Sequence, residues 1–187
     1  MPVTVELSVH PATPDQAVRG LVAEVSWRPH PALLSLLYRI DAETESLRVP
    51  APRPARRADG LWQHTCFEAF IRAGGMHAYY EFNFSTSGEW AAYRFESRRT
   101  GMQPVQRLPP PRIGVLRGRG MMDVSIDVDL AQLEDLASAM EFSLGLAAVI
   151  EHGSGERSYW ALRHDSTQPD FHDPATFALK LEGRTAA

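Results

Sequence analysis

The sequence predicts an all-β fold, a sandwich or barrel of antiparallel strands with one short helix. Three observations carry that prediction. Apolar residues recur at every second position along much of the chain, glycine and serine turn pairs separate those runs, and a helical spacing stands out once. Successive side chains of a strand point to opposite faces, so alternation marks a sheet with one covered face. Half-covered strands suit antiparallel sheets. Many short strands with turn signals between them build sandwiches and barrels.

Taken in order, Val3, Val5, Leu7 and Val9 alternate with Thr4, Glu6 and Ser8. Leu21, Ala23, Val25 and Trp27 form a second apolar face, and Leu34, Leu36, Tyr38 and Ile40 a third. Residues 50–59 (PAPRPARRAD) are expected to be an extended loop, because proline removes ladder donors. Thr65, Phe67, Ala69 and Ile71 make the core side of the next strand; Tyr80, Phe82 and Phe84 share one side of its neighbour. Ser87-Gly88 reads as a hairpin connection into a strand over residues 90–95. Residues 100–120, with Pro109-Pro110-Pro111 and several arginines, read as an irregular loop. The clearest alternation is Met122, Val124, Ile126, Val128 and Leu130 against Asp123, Ser125, Asp127 and Asp129. The helix is expected over residues 130–140, with Asp129 as its cap and Gln132 completing a capping box. Phe142, Leu144, Leu146, Ala148 and Ile150 follow, then Phe177, Leu179 and Leu181.

Size and composition bound the function. The 187 residues are expected to form a single domain, residues 1–187. A chain of this length buries roughly 70% of its unfolded surface and needs no disulfide or metal staple. A hydrophobic content of 44% with 22% charged residues describes a globular protein. The net charge of −4 argues against a strongly basic nucleic-acid binder and against a polybasic membrane-surface protein. No run of ~18 apolar residues is present, so no bilayer span is expected. The first residues lack the basic head and apolar stretch of a signal peptide, and a cytoplasmic location is the expectation. The single cysteine, Cys66, excludes an internal disulfide and a cysteine-rich zinc site.

The chemistry concentrates between Gly60 and Phe95. With Phe67, Ala69 and Ile71 turned to the core, Trp62, His64, Cys66 and Glu68 fall on the opposite face. Tyr79, Glu81, Asn83 and Ser85 share one side of the following strand. If these strands and the next are neighbours, one face gathers Trp62, His64, Glu68, Glu81 and Asn83, with Arg94 beside them. Sugar recognition uses such a mixture: an aromatic plane for the ring's apolar face and planar polar groups for its hydroxyls. The same set also reads as an ion-pair network that fixes sheet register. Paired carboxylates further admit glycoside hydrolysis, which depends on their separation.

The C-terminal block (SYWALRHDSTQPDFHDPATF) adds His164, Asp165, Asp170, His172 and Asp173. Imidazole with carboxylate suits several divalent ions, but no helical His pair or standard metal loop is present, and no metal ligands are assigned. The plainer reading is a closing loop whose Asp and His side chains cap its own backbone, anchored by Phe171. Cys66 lies in no motif for a catalytic thiol, and the chain holds neither a glycine-rich phosphate loop nor a nucleophile elbow.

Three stretches, LWQHTCFEAFIR, YYEFNFSTSGEWAAYRF and SYWALRHDSTQPDFHDPATFAL, together resemble bacterial DOMON-like proteins, which are related to type 9 carbohydrate-binding modules. The resemblance runs from the first strand to Leu181. It implies an immunoglobulin-like antiparallel β-sandwich that binds a small ligand on or beside one sheet, the wider family's ligands being sugars and heme. The matching positions are Trp62, Glu68, Glu81, Asn83, Trp90 and Trp160. The expected function is non-catalytic binding of a carbohydrate or sugar-containing metabolite, with Trp62, His64, Glu68, Glu81, Asn83, Trp90, Arg94 and Trp160 as the site. The alternatives are heme binding, with Met76, Met102, His64 or His164 as axial ligands, and an interaction module that joins a partner or a second copy. A metal- or carboxylate-dependent hydrolase is a further alternative. The expected partner is a small molecule, with no nucleic acid and no membrane, for a monomer or homodimer.

Overall fold

The computed structural model describes residues 2–182. Thirteen strands run in chain order: β1 (Val3–Val9), β2 (Val18–Pro29), β3 (Ala32–Ala42), β4 (Arg56–Arg57), β5 (Cys66–Ala73), β6 (Tyr79–Ser85), β7 (Glu89–Phe95), β8 (Gln103–Pro104), β9 (Arg112–Gly118), β10 (Met121–Asp129), β11 (Glu141–Glu151), β12 (Arg157–Ala161) and β13 (Leu179–Glu182). One α-helix, α1 (Glu134–Ala137), joins β10 to β11. Among the described residues no helix is long and apolar enough to cross a membrane.

The strands form two facing layers. The first has the order β1-β2-β3-β10-β9; the second has β7-β6-β5-β11-β12, with β4 and β8 on β7 and β13 on β11. Strand β1 belongs to both: residues 3–7 pair with β2, and Ser8 and Val9 pair with β12. The main pairings are antiparallel, and among the described residues only β4 runs parallel to its partner. Between the layers lies the main core, where Leu21, Tyr38, Ile40, Met122 and Ile126 from one sheet meet Phe67, Phe82, Phe84 and Leu146 from the other. The alternation seen in the sequence is the contribution of these strands to that core. Tyr38 also donates from its hydroxyl to the Glu68 carbonyl at 2.8 Å, a polar tie across the sandwich.

The second sheet is covered on its outer face as well. Phe70, Tyr79, Tyr93, Phe95, Val149, Phe171 and Phe177 form a separate apolar cluster there. The C-terminal segment supplies the cover, through Phe171 and a single 3-10 turn, Pro174–Thr176, laid on β11. Gly145 makes the close approach possible: a Cβ at that position would stand 3.1 Å from the Thr176 carbonyl oxygen. The segment also caps its own backbone, with Asp170 accepting from His172 N at 3.0 Å and Asp173 from Ala175 N at 2.9 Å.

Two larger elements differ from expectation, and the two-residue strands β4 and β8 lie within the segments expected as loops. The helix is four residues long instead of spanning 130–140. Asp129 accepts a hydrogen bond from Ala131 N at 2.9 Å, which builds a turn where the first helical turn was expected. Leu130, Leu133 and Leu136 are buried all the same, so their spacing reported burial more faithfully than helix length. Residues 112–118, expected as loop, form β9. This is an edge strand whose side chains are almost all exposed, so it carries no apolar alternation, and its arginines blunt the free edge.

Candidate functional site

A groove of about 460 Å³ opens on the outer face of the second sheet. Its floor is Glu68 on β5 and Glu81 on β6. Glu68 pairs in register with Asn83, and Glu81 with Phe70, so the two acids are diagonal neighbours on one face. Tyr93 and Phe95 of β7 and Val149 of β11 extend the floor to either side. Trp62 and Tyr159 stand in the walls, with Arg99, Met102, Phe171 and His172 around the rim. Trp62 lies in a 3-10 turn, Leu61–Gln63, entered through Gly60 at φ +76°, where glycine is favoured. The indole meets the Tyr93 ring edge-on at 6.5 Å and keeps 42% exposure, which leaves it free to stack.

The floor is electrostatically unusual. Glu68 is 3% exposed, and its Oε1 is buried with no hydrogen-bond partner. Burial first, then the Glu81 charge, push the Glu68 carboxyl well above the usual carboxylate range, with Arg99 opposing. Burial raises Glu81 too, against the pull of Asn83 and Arg99. Asn83 donates to Glu81 Oε1 at 2.6 Å, and His172 Nε2 lies 3.5 Å from Glu81 Oε2. Burial and the positive charges of Arg99 and Arg98 bring His172 down to about 4, so it is neutral near pH 7. Its Nδ1 meets the Tyr79 hydroxyl at 2.8 Å, and that hydroxyl accepts from Arg99 N at 3.2 Å. Above these groups, Arg98 binds Asp170 and Asp173 while Arg99 binds Asp170 at 2.7 Å, which ties residues 98–99 to the C-terminal segment across the rim. Burial raises Asp170, but its hydrogen bonds to Arg98 and Arg99 dominate and hold it at about 2.

Four of the expected site residues gather here. Trp62, Glu68 and Glu81 line the groove, and Asn83 supports it from beneath through Glu81. His64 sits just outside: its Nδ1 is paired with Glu151 at 2.8 Å. The other three face the sandwich interior or its margin. Trp90 and Trp160 pack in the main core, and Arg94, on the same side of β7 as Trp90, contacts Asp135 at 3.5 Å. One-residue parity explains each difference, because Tyr93 stands in the groove where Arg94 was expected and Tyr159 where Trp160 was expected. His172, Arg99, Tyr93 and Tyr159 were missing from the expected site. His172 and Arg99 come from loops, where period two carries no information.

Other candidates lack a converging geometry. His164 Nε2 meets the Ser8 carbonyl at 2.8 Å, and Asp170 and Asp173 are taken by arginines. Among the described residues no group of three His, Cys, Asp or Glu side chains is placed to hold a metal ion. Cys66 is fully buried, and burial followed by the Glu68 charge pushes its thiol up, the opposite of an activated nucleophile. Of the four possible heme ligands only Met102 lines the groove, so no two of them face each other across it. A larger open hollow of about 900 Å³ lies around Asp15, His152 and Ser158. There the polar groups satisfy one another: Asp15 accepts from His152 at 2.8 Å and from Ser158, while Trp160 Nε1 donates to Ser158 at 2.9 Å. The groove is thus the concave surface that combines an exposed indole with an unpaired buried carboxyl.

Solved structures share this architecture. A Bacteroides uniformis protein with a conjectured carbohydrate-binding role aligns over 98% of this chain and 87% of its own at TM-score 0.70 and 14% identity. A family 9 carbohydrate-binding module from Caldicellulosiruptor kristjanssonii, in complex with glucose, aligns over 97% and 87% at TM-score 0.52 and 9% identity. A family 9 module from the same organism, in complex with cellotriose, aligns over 97% and 84% at TM-score 0.54 and 13% identity. The chain has the all-β sandwich fold of these modules. No family model matches the sequence, and no curated protein matches it.

Proposed function

We propose that the protein is a non-catalytic sugar-binding domain whose ligand lies in the groove over Glu68 and Glu81. The observation that carries this reading is that Glu68, a buried acid whose Oε1 has no hydrogen-bond partner, lines a groove walled by an exposed indole. A sugar supplies both missing partners, since its C–H face stacks on an aromatic plane and its hydroxyls bond buried carboxyls. The neighbours solved with glucose and cellotriose support the ligand class. The DOMON-like grouping rests on the three sequence blocks and belongs to the same proposal. Isothermal titration against glucose, xylose, cellotriose and related sugars tests it, with Trp62→Ala and Glu81→Ala as comparisons. The expected result is saturable binding to at least one sugar that each substitution weakens roughly tenfold or more, on the order of 1.4 kcal/mol. Identical weak heats for all three proteins would overturn it.

A further inference from the structure

We propose that the groove's ligand is an amino sugar, with its ammonium seated on the Glu68–Glu81 floor. The inference rests on the sugar-binding reading and narrows the ligand within it.

The charge arrangement is its basis. Two carboxyls face one groove, and among the described residues no arginine or lysine comes within ion-pair distance of either. The guanidinium groups nearby are engaged elsewhere. Arg99 is held by Asp170 at 2.7 Å, and Arg157 bonds the Gln63 carbonyl at 3.3 Å. His172 approaches Glu81 at 3.5 Å, but its Nδ1 is committed to Tyr79 and its ring is uncharged at neutral pH. Asn83 is the one amide that donates to the pair, and it serves Glu81. Glu68 therefore has no donor at its buried oxygen. Burying an anion without a counter-charge is costly. A sugar hydroxyl answers that cost with one neutral hydrogen bond, whereas an ammonium answers it with a full charge and three donors. The walls fit the same group, since Trp62 and Tyr159 offer aromatic faces to a cation or to the polarised C–H bonds beside it.

The test is titration calorimetry of the full chain with three β-1,4-linked trisaccharides that differ at C2: cellotriose, the glucosamine trimer and the N-acetylglucosamine trimer. Each is measured near pH 6.5. The glucosamine trimer is expected to bind at least about tenfold more tightly than cellotriose. Acetylation is expected to abolish the gain, and Glu68→Gln to bring the glucosamine-to-cellotriose ratio near one. If Glu68→Gln does not fold, Glu81→Gln carries the same comparison. Cellotriose binding as tightly as the glucosamine trimer would overturn the amino-sugar assignment and leave the sugar reading standing. Failure of all three sugars would overturn both. A preference that survives in folded Glu68→Gln would assign the attraction to the protein's overall negative charge and overturn the seat proposed here.

Discussion

Replacing Glu68 with methionine is expected to stabilise the protein, and the gain is expected to grow with pH. The side chains are similar in length, so the substitution exchanges a carboxyl for apolar atoms with little change in volume. The wild-type carboxyl is buried with one oxygen unpaired. An unsatisfied buried polar group costs about 1–3 kcal/mol. For a domain of this size each kcal/mol moves the melting temperature by about 2–4 °C. The expected gain at pH 8 is therefore roughly 2–12 °C. Its pH dependence follows from the raised folded-state pKa of Glu68. Just above the unfolded carboxylate value, the folded chain keeps a proton that the unfolded chain releases. Wild-type stability therefore falls as pH rises through the folded value, and Glu68→Met removes that fall. His172 and Asp170 titrate in both proteins and cancel in the difference. Urea melts of both proteins at pH 4.5, 6 and 8 measure it. A Glu68→Met protein less stable than wild type at pH 8, or a difference constant across pH, would refute the reasoning by showing that the carboxylate supports the fold. Gain of stability with loss of sugar binding is the trade expected of a binding group held in an unfavourable site.

Two further expectations follow from the same geometry. His172 is held at about 4 by burial and the neighbouring arginines, below its ordinary 6.5. Between those values the unfolded chain takes up a proton that the folded chain does not, so acidification from pH 6.5 to 4 costs up to about 3 kcal/mol. Urea midpoints at pH 7 and 4.5 should show a smaller acid loss in His172→Gln than in wild type; equal losses would contradict the assignment. Trp90, in the main core, is expected to cost about 3–5 kcal/mol when changed to alanine. Its less disruptive Trp90→Phe variant should leave sugar affinity unchanged, and a selective loss of affinity in that folded variant would return Trp90 to the site.

The sequence was most readable where a strand has one apolar and one polar face. Strands β2, β3 and β10 alternate because their outer sides meet solvent. On β5 and β6 the polar residues that break the apolar run, Glu68, Glu81 and Asn83, marked the face opposite the core, and the structure puts them there. Parity failed on β7 and β12 for a shared reason. The C-terminal segment and the Trp62 turn cover the second sheet's outer side, so both faces of these strands are apolar and period two vanishes. Trp90, Ala92 and Arg94 then looked as suitable for the groove as Ala91, Tyr93 and Phe95. Counting across the ladder resolves it. Phe84 faces the core and pairs with Trp90, so Trp90 shares its side, and Glu81 pairs with Tyr93, so Tyr93 shares the groove. That count needs the hairpin register, which the Ser87-Gly88 turn supplies only once its geometry is known. The loop residues were hidden differently. Arg99 reaches the site through a backbone in the left-handed region, φ 56°, which a non-glycine residue rarely adopts. His172 is brought there by a segment whose contact with β11 depends on Gly145 having no side chain. The polar floor was thus a property of local alternation, while the rim that closes over it is a property of tertiary packing.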